Sequence, residues 1–406
     1  MILRENYFAY IIANQLFVNN GKYIFSQIMS LVSSTSFQTI VARYNGDYKV
    51  KDFSCWKQYL CMAFGQLTHR ESLSDTILCL KANADKTYHL GIGNVVAKST
   101  LSTANENRPY LIYYDLAMLL IKQAKQLYLG DNDLDIELEN NVFAIDSTTI
   151  NLCLSTFHWA TYRSTKGGIK LHTQLDLKTA IPEFIHFSAA SVNDMNALDF
   201  ISYEANSFYI MDRGYVDYKR LHRIHGCQAF YIIRAKDNMN CRRVKSYPSD
   251  KSNGVLCDQS VLLNNFYVAK DYPEKIRRIK FYDNESGKLF IFLTNNFHLK
   301  ATEIAQLYKH RWKIELFFKW IKQHLKIKSF WGQSENAVKT QVWIAVSVYV
   351  LVAIAKKKFT LQKSLYEILQ ILSISIFERM PINQLFQQTQ KQYFKELDHN
   401  QLNMFD

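Results

Sequence analysis

Residues 308–328 read YKHRWKIELFFKWIKQHLKIK, and the rest of the chain is best understood outward from them. The run lacks Pro and Gly, is rich in helix formers, and is long enough for about six helical turns. At about 100° per residue, Tyr308, Arg311, Glu315, Lys319 and Lys322 fall in one stripe roughly 80° wide. Leu307, Ile314, Phe318, Ile321 and Leu325 form an adjacent apolar stripe suited to packing on a core. The stretch holds seven Lys/Arg and a single acid, Glu315. A solvated basic face would read the same way, so the upstream sequence has to decide between the two.

Upstream, residues 288–296 (KLFIFLTNN) read as a strand feeding this helix, and Thr302 with Glu303 suits a helix start. Residues 207–215 (SFYIMDRGY) form a fully apolar strand ending at Asp212. Residues 141–152 (NVFAIDSTTINL) form a β-branched strand interrupted by one carboxylate, Asp146. Between them, 168–177 alternates with period two and 181–190 follows as a third strand, giving an antiparallel meander. Helices near 193–200 and 218–225 and a strand at 229–236 complete a β-β-β-α-β-α-β order. This predicts an α/β mixed-sheet core with sites at strand ends. Residues 237–287, with their Asn, Ser, Asp and Gly clusters, read as a β-rich insertion.

The flanks are helical. In residues 1–135, Ser72 or Ser74 can cap a helix through Leu80, with Asp75 in its first turn. A second short helix begins near Ser99, and the pair suits a helix-turn-helix DNA reader or an ordinary helical subdomain. In the former reading Ser99, Thr100, Ser102, Asn105 and Arg108 face DNA. Residues 336–406 read as a helical C-terminal region ending in a Gln-rich tail.

At 406 residues the chain has ample material for a buried core, and a net charge of +13 with pI near 9.2 favours a polyanionic partner, nucleic acid first. Seven scattered cysteines without a Cys-x2-Cys pair fit free thiols in a reducing cytoplasm and argue against a zinc site or a disulfide framework. The apolar run Val342–Ala355 is too short for a bilayer and reads as a core helix, so no membrane partner is expected and the protein is read as cytoplasmic and nucleoid-associated.

Three carboxylates stand out by position: Asp146 inside a strand, Asp212 at a strand end and Glu315 on the long helix. A charged Asp in an apolar strand is costly to bury unless it is paired or bound to a cation. Hard divalent ions take carboxylate oxygens, and phosphoryl transfer uses two such ions about 3.5–4 Å apart. Asp176, Asp194 and Asp199 occupy similar local settings and compete for these roles.

The spacing Tyr308-x2-Arg311-x3-Glu315-x6-Lys322, after Asp146 in FAIDSTT and Asp212 in MDRGY, resembles the signature of DDE-type bacterial insertion-sequence transposases of the insertion-sequence-four group. The resemblance covers about residues 20–335 and implies a ribonuclease-H-like catalytic domain over 136–335. It implies that Asp146, Asp212 and Glu315 bind two Mg²⁺ (Mn²⁺ can substitute), and that Tyr308, Arg311, Lys322 and Lys319 contact phosphates. The implied reaction is metal-assisted cleavage at the ends of a mobile element, followed by attack of the 3′-OH on target DNA. Double-stranded DNA, as terminal inverted repeats and target, and a dimer on that DNA are the implied partners. A DNA-binding protein without catalysis and a ribonuclease-H-like nuclease without strand transfer are the competing readings. Related transposases use an insertion tryptophan to hold a flipped base during hairpin formation. Residues 237–287 contain no Trp, which leaves Phe266, Tyr267 or Tyr272 to stack.

Overall fold

The computed structural model describes residues 21–152, 161–163, 166–237, 239–324 and 330–387. Cys153, Leu325 and the Gln-rich tail lie outside these residues. In chain order the helical elements begin with α1 (Ile24–Met29), α2 (Ser34–Arg43), α3 (Cys55–Leu67), α4 (Leu73–Ala82), α5 (Ala84–Thr87), α6 (Lys98–Asn107) and α7 (Leu111–Leu127). The sheet then opens with β1 (Val142–Leu152), β2 (Thr161–Arg163), β3 (Lys166–Asp176), β4 (Pro182–Ala189) and β5 (Phe208–Met211), followed by α8 (Tyr218–Gly226) and β6 (Phe230–Arg234). Next come β7 (Cys241–Tyr247), β8 (Val255–Leu263), α9 (Phe266–Asp271), β9 (Ile276–Asp283) and β10 (Lys288–Thr294). The last elements are α10 (Ala301–Lys309), α11 (Trp312–His324), α12 (Glu335–Lys358) and α13 (Leu365–Ser375).

These elements form two compact units, Gly130–Lys319 and the combination of Met1–Leu129 with Trp320–Asp406. The helical regions at the two ends of the chain, read from sequence as separate, thus share one unit. Its centre is α12, whose residues Val342 to Ala355 are all buried. By length and composition α12 could cross a bilayer, but its apolar window is buried inside this unit. Burying each Val, Leu or Ile side chain is worth about 1.5–3 kcal/mol, and α12 buries nine of them along one helix. Tyr128 donates its hydroxyl to the Ala353 carbonyl at 2.9 Å, and Ser347 donates to Tyr59 at 3.2 Å. Of the two expected caps for α4, Ser72 is used: its hydroxyl accepts from the Asp75 N–H at 3.1 Å.

In the other unit, β1 pairs antiparallel with β3 and β3 with β4, the expected meander. On its other side β1 pairs parallel with β5, and β5 parallel with β6. The order β4-β3-β1-β5-β6 is the ribonuclease-H-like arrangement. All four residues of β5 are buried, because strands flank it on both sides and it lies within the sheet. Its Tyr209 and Met211 pack with Phe143, Ile145, Leu221 and Ile224 on the α8 side of the sheet.

The segment read as an insertion extends this sheet rather than forming a separate one. After β6 the order continues β10-β9-β8-β7. It is fastened internally by Arg277 and Asp258, both nearly fully buried, with Nε to Oδ1 at 2.9 Å and Nη2 to Oδ2 at 2.7 Å. Arg277 Nη1 also donates to the carbonyls of Asn296 and Leu299, in the loop that leads into α10. Of the three aromatics expected to stack on a base, Tyr272 is buried at 1% exposure, whereas Phe266 and Tyr267 are each 77% exposed.

Candidate active site

The parallel register pairs Ile145 of β1 with Met211 of β5. The next residue on each strand is an aspartate, Asp146 and Asp212. Side chains alternate along a strand, so both carboxylates leave the sheet on the face opposite Ile145 and Met211. Two acids separated by 66 residues in the chain are thereby placed side by side at the end of β5.

The stretch 308–328 is one helix in the sequence reading and two in the structure. α10 ends at Lys309 and α11 starts at Trp312. Between them the Lys313 N–H bonds the His310 carbonyl and the Ile314 N–H bonds the Arg311 carbonyl, at 3.1 Å each. These three-residue steps form a tight 3₁₀-like turn. The turn interrupts the helix, yet Tyr308, Arg311 and Glu315 of the expected polar stripe remain neighbours across it. The apolar stripe survives: Leu307, Ile314, Phe318 and Ile321 are buried. α10 starts at Ala301 with Thr302 and Glu303 in its first turn, as expected, and the Lys300 N–H donates to Glu303 at 2.7 Å.

Tyr308, in the last turn of α10, is 8% exposed with its ring 4.7 Å from that of Phe292. Its hydroxyl donates to Asp212 Oδ1 at 3.0 Å. Burial, with the Asp212 charge adding to it, pushes the Tyr308 hydroxyl up to about 12, so it remains a proton donor. Arg311, in the turn itself, donates from Nη1 to Asp146 Oδ2 at 2.9 Å and from Nη2 to Glu315 Oε1 at 2.5 Å. Its guanidinium lies 5.7 Å from the Tyr308 ring centre. Its Nε is buried and has no hydrogen-bond partner.

Asp146 accepts the Ser147 N–H on Oδ1 at 2.8 Å. Burial raises its carboxyl to about 6; the Ser147 N–H and the Arg311 charge pull it down, while Glu315 and Asp212 push it further up. Glu315 is the open member, with a side chain 58% exposed. Lys319 is exposed one turn further along α11, and Lys322, half-buried, follows Glu315 by two turns. The three acids are oxygen donors of the kind hard divalent ions take. Among the described residues, however, no three His, Cys, Asp or Glu side chains are gathered as a ready metal cluster. A guanidinium lies between two of the acids instead.

The competing aspartates have other work. Asp176 closes a turn by accepting from the Lys178 N–H and the Thr179 hydroxyl, each at 2.8 Å. Asp199 pairs with Arg220 at 2.6 Å. Asp194 lies on the opposite side of β1, accepting from Ser147 Oγ at 2.6 Å and pairing with Lys170 at 3.0 Å. The Ser147–Asp194–Lys170 support behind Asp146 was not anticipated. Its one trace in the sequence is the period-two run that sets Lys170 and His172 on a common face of β3.

In the helical unit, Ser99 and Thr100 are exposed on α6 and line an open cleft of about 510 Å³ with Lys51, Asn107 and Arg108. Asn105 does not face solvent. It is buried, accepts from Gln58 Nε2 at 2.8 Å and donates to the Met62 sulfur. Arg108 is also tied inward: it donates to Gln58 Oε1 at 2.8 Å and to the Phe53 carbonyl, with its guanidinium over the Phe53 ring.

Residues 137–351 match the family model described as the transposase DDE domain, a span that contains the three acids, Tyr308 and Arg311. The chain belongs to the DDE transposases. Residues 20–93 of this transposase match a domain of unknown function (DUF4372). It is 32% identical to y4zB of Sinorhizobium fredii, a protein named as a transposase, over 70% of this chain and 78% of that one. It is 28% identical to the transposase named for insertion sequence element IS5377 of Geobacillus stearothermophilus, over 62% of this chain and 66% of the other. The piggyBac transposase, solved as a synaptic complex with hairpin DNA, is similar over 94% of this chain and 86% of its own, at 10% identity and a TM-score of 0.46. As a DDE transposase the protein is an enzyme that acts on DNA, in a family that uses divalent metal ions.

Proposed function

We propose that this transposase cleaves phosphodiester bonds at the ends of its own mobile element and joins the freed 3′-OH to target DNA, with Asp146, Asp212 and Glu315 as the catalytic acids. The observation that carries this reading is the placement of two aspartates at successive positions past the Ile145–Met211 pair, with Glu315 linked to Asp146 through Arg311. The three carboxylates would hold two Mg²⁺, with Mn²⁺ able to replace them. When bound, such ions lower the pKa of an attacking water and stabilise the leaving oxygen of an in-line displacement.

The chain's own groups do the rest. Tyr308 holds Asp212 by a hydrogen bond from a hydroxyl that stays protonated at working pH. The Ser147 N–H and Arg311 orient the two oxygens of Asp146. Lys319 and Lys322, with Arg311 once it meets DNA, supply charge for phosphates beside the scissile bond. Ser99 and Thr100 on the exposed face of α6 serve DNA contact. Arg108 shapes the same cleft while anchored to Gln58. Terminal inverted repeats and target are both duplex DNA, and two ends have to be joined, so a pair of copies on paired ends is the working assembly.

The test is incubation of the protein with Mg²⁺, a duplex carrying the sequence that flanks its gene, and a supercoiled target plasmid. Cleavage at the end together with end-to-plasmid joined product is expected. Cleavage that never yields joined product would mean a nuclease instead, and binding without cleavage a non-catalytic DNA-binding protein.

A further inference from the structure

Arg311 joins two carboxylates that both belong to the set read above as metal-binding, and this inference rests on that reading. Its two terminal nitrogens go to different acids, at 2.9 Å to Asp146 and 2.5 Å to Glu315. Neither contact is the two-toothed pairing a guanidinium makes with one carboxylate. Its Nε, buried, has no acceptor. An arginine placed for structure alone would use that donor, as Arg277 does in the same unit with a bidentate partner and two carbonyls. The guanidinium therefore occupies the position of a cation between Asp146 and Glu315 without saturating its own hydrogen bonds.

We propose that Arg311 is a displaceable counter-cation: in the protein without DNA it holds Asp146 and Glu315 and competes with divalent metal for them, and a DNA phosphate draws it off. The exchange is one of ion pairs only. Arg311 leaves one oxygen of each carboxylate, a phosphate oxygen takes the guanidinium, and the freed carboxylate oxygens become available to metal. Metal binding and DNA binding then reinforce one another, because each is opposed by the same two ion pairs. Uncontrolled metal loading, and with it hydrolysis away from an engaged end, is suppressed.

The experiment titrates Mn²⁺ into the DNA-free full chain and follows the free aqueous ion by electron paramagnetic resonance. Wild type, Arg311→Gln, Arg311→Lys and Arg311→Gln/Asp146→Asn are compared, with folding checked by circular dichroism. Removing a cation a few ångströms from a divalent site should tighten Mn²⁺ binding by roughly tenfold or more. Arg311→Lys, which keeps the charge but cannot fork to both acids, should lie between Arg311→Gln and wild type, and it decides the matter if Arg311→Gln does not fold. Adding the flanking-end duplex should tighten Mn²⁺ binding by wild type and leave Arg311→Gln little changed. Unchanged or weaker binding by the Arg311 variants would overturn the proposal and make Arg311 a scaffold for the carboxylates. Mn²⁺ binding that the Asp146→Asn change does not affect, with or without DNA, would instead remove the metal site itself. That result concerns the carboxylate assignment, which the cleavage assay tests separately.

Discussion

Two arginines in the same unit show how differently one chemistry can be used. Arg277 and Asp258 are nearly fully buried, meet in a bidentate pair, and the remaining guanidinium nitrogen is taken by two carbonyls. Arg311 is less buried, divides itself between two acids, leaves Nε without a partner, and faces a Glu315 that is more than half exposed. A saturated pair has no reason to open, because any change leaves a buried charge without its partner. An unsaturated one beside an open carboxylate is ready to exchange. We read the first as a fastener between the sheet extension and the loop entering α10, and the second as part of the chemistry.

This contrast can be broken at several points. The largest effect belongs to the acids: Asp146→Asn or Asp212→Asn should lower end cleavage roughly a thousandfold or more, the loss of several kcal/mol of transition-state stabilisation, with the fold intact in a thermal melt. Arg277→Met should behave in the opposite way. It leaves Asp258 buried and alone, and should cost about 3–5 kcal/mol in denaturant unfolding. If Arg277→Met melted like wild type, the distinction drawn between the two arginines would fail.

A further test separates burial from pairing. His172, 1% exposed on β3, bonds Ser188 through Nε2 at 2.7 Å, and its Nδ1 has no hydrogen-bond partner. Burial lowers its pKa from 6.5 to about 4, against a smaller upward pull from Asp194. Between those values the unfolded chain binds the proton and the folded one does not, so stability falls as pH drops from about 6.5 towards 4. Replacing His172 with Gln should remove up to about 2–3 kcal/mol of that loss. Equal acid sensitivity of the two proteins in unfolding curves at pH 7 and pH 4.5 would refute the assignment. The smallest effect is Tyr308→Phe, which keeps the ring packing and frees Asp212 from its donor. A change of about 1 kcal/mol, roughly a fivefold fall in cleavage, is expected from one such hydrogen bond.

The legible parts of this protein are those where local pattern and chemistry agree. Asp146 in a β-branched run, Asp212 closing an apolar strand and Glu315 alone among cations could be read because a charge is conspicuous where its neighbours are apolar or of opposite sign. The meander followed from alternation and from strand spacing, whereas the parallel pairing of β1 with β5 was not read from the sequence. The interruption at His310–Arg311 was not legible, since no Pro or Gly marks it. Neither was the burial of Tyr272 and Asn105, because an aromatic or an amide in a polar stretch looks the same whether it faces solvent or a neighbour 40 residues away. The pairing of β10 with β6, which joins the sheet extension to the core, is a long-range choice that period-two patterning leaves open.

The most direct test of the central claim is cleavage of a duplex carrying the gene's own flanking end, in Mg²⁺, by wild type and Glu315→Gln, with binding of the same duplex measured in parallel. Wild type should cut at the element's end, and Glu315→Gln should bind the duplex comparably yet leave it uncut. Mg²⁺-dependent cutting by Glu315→Gln at the wild-type rate would contradict the account, because the carboxylate bridged to Asp146 through Arg311 would then have no part in the chemistry.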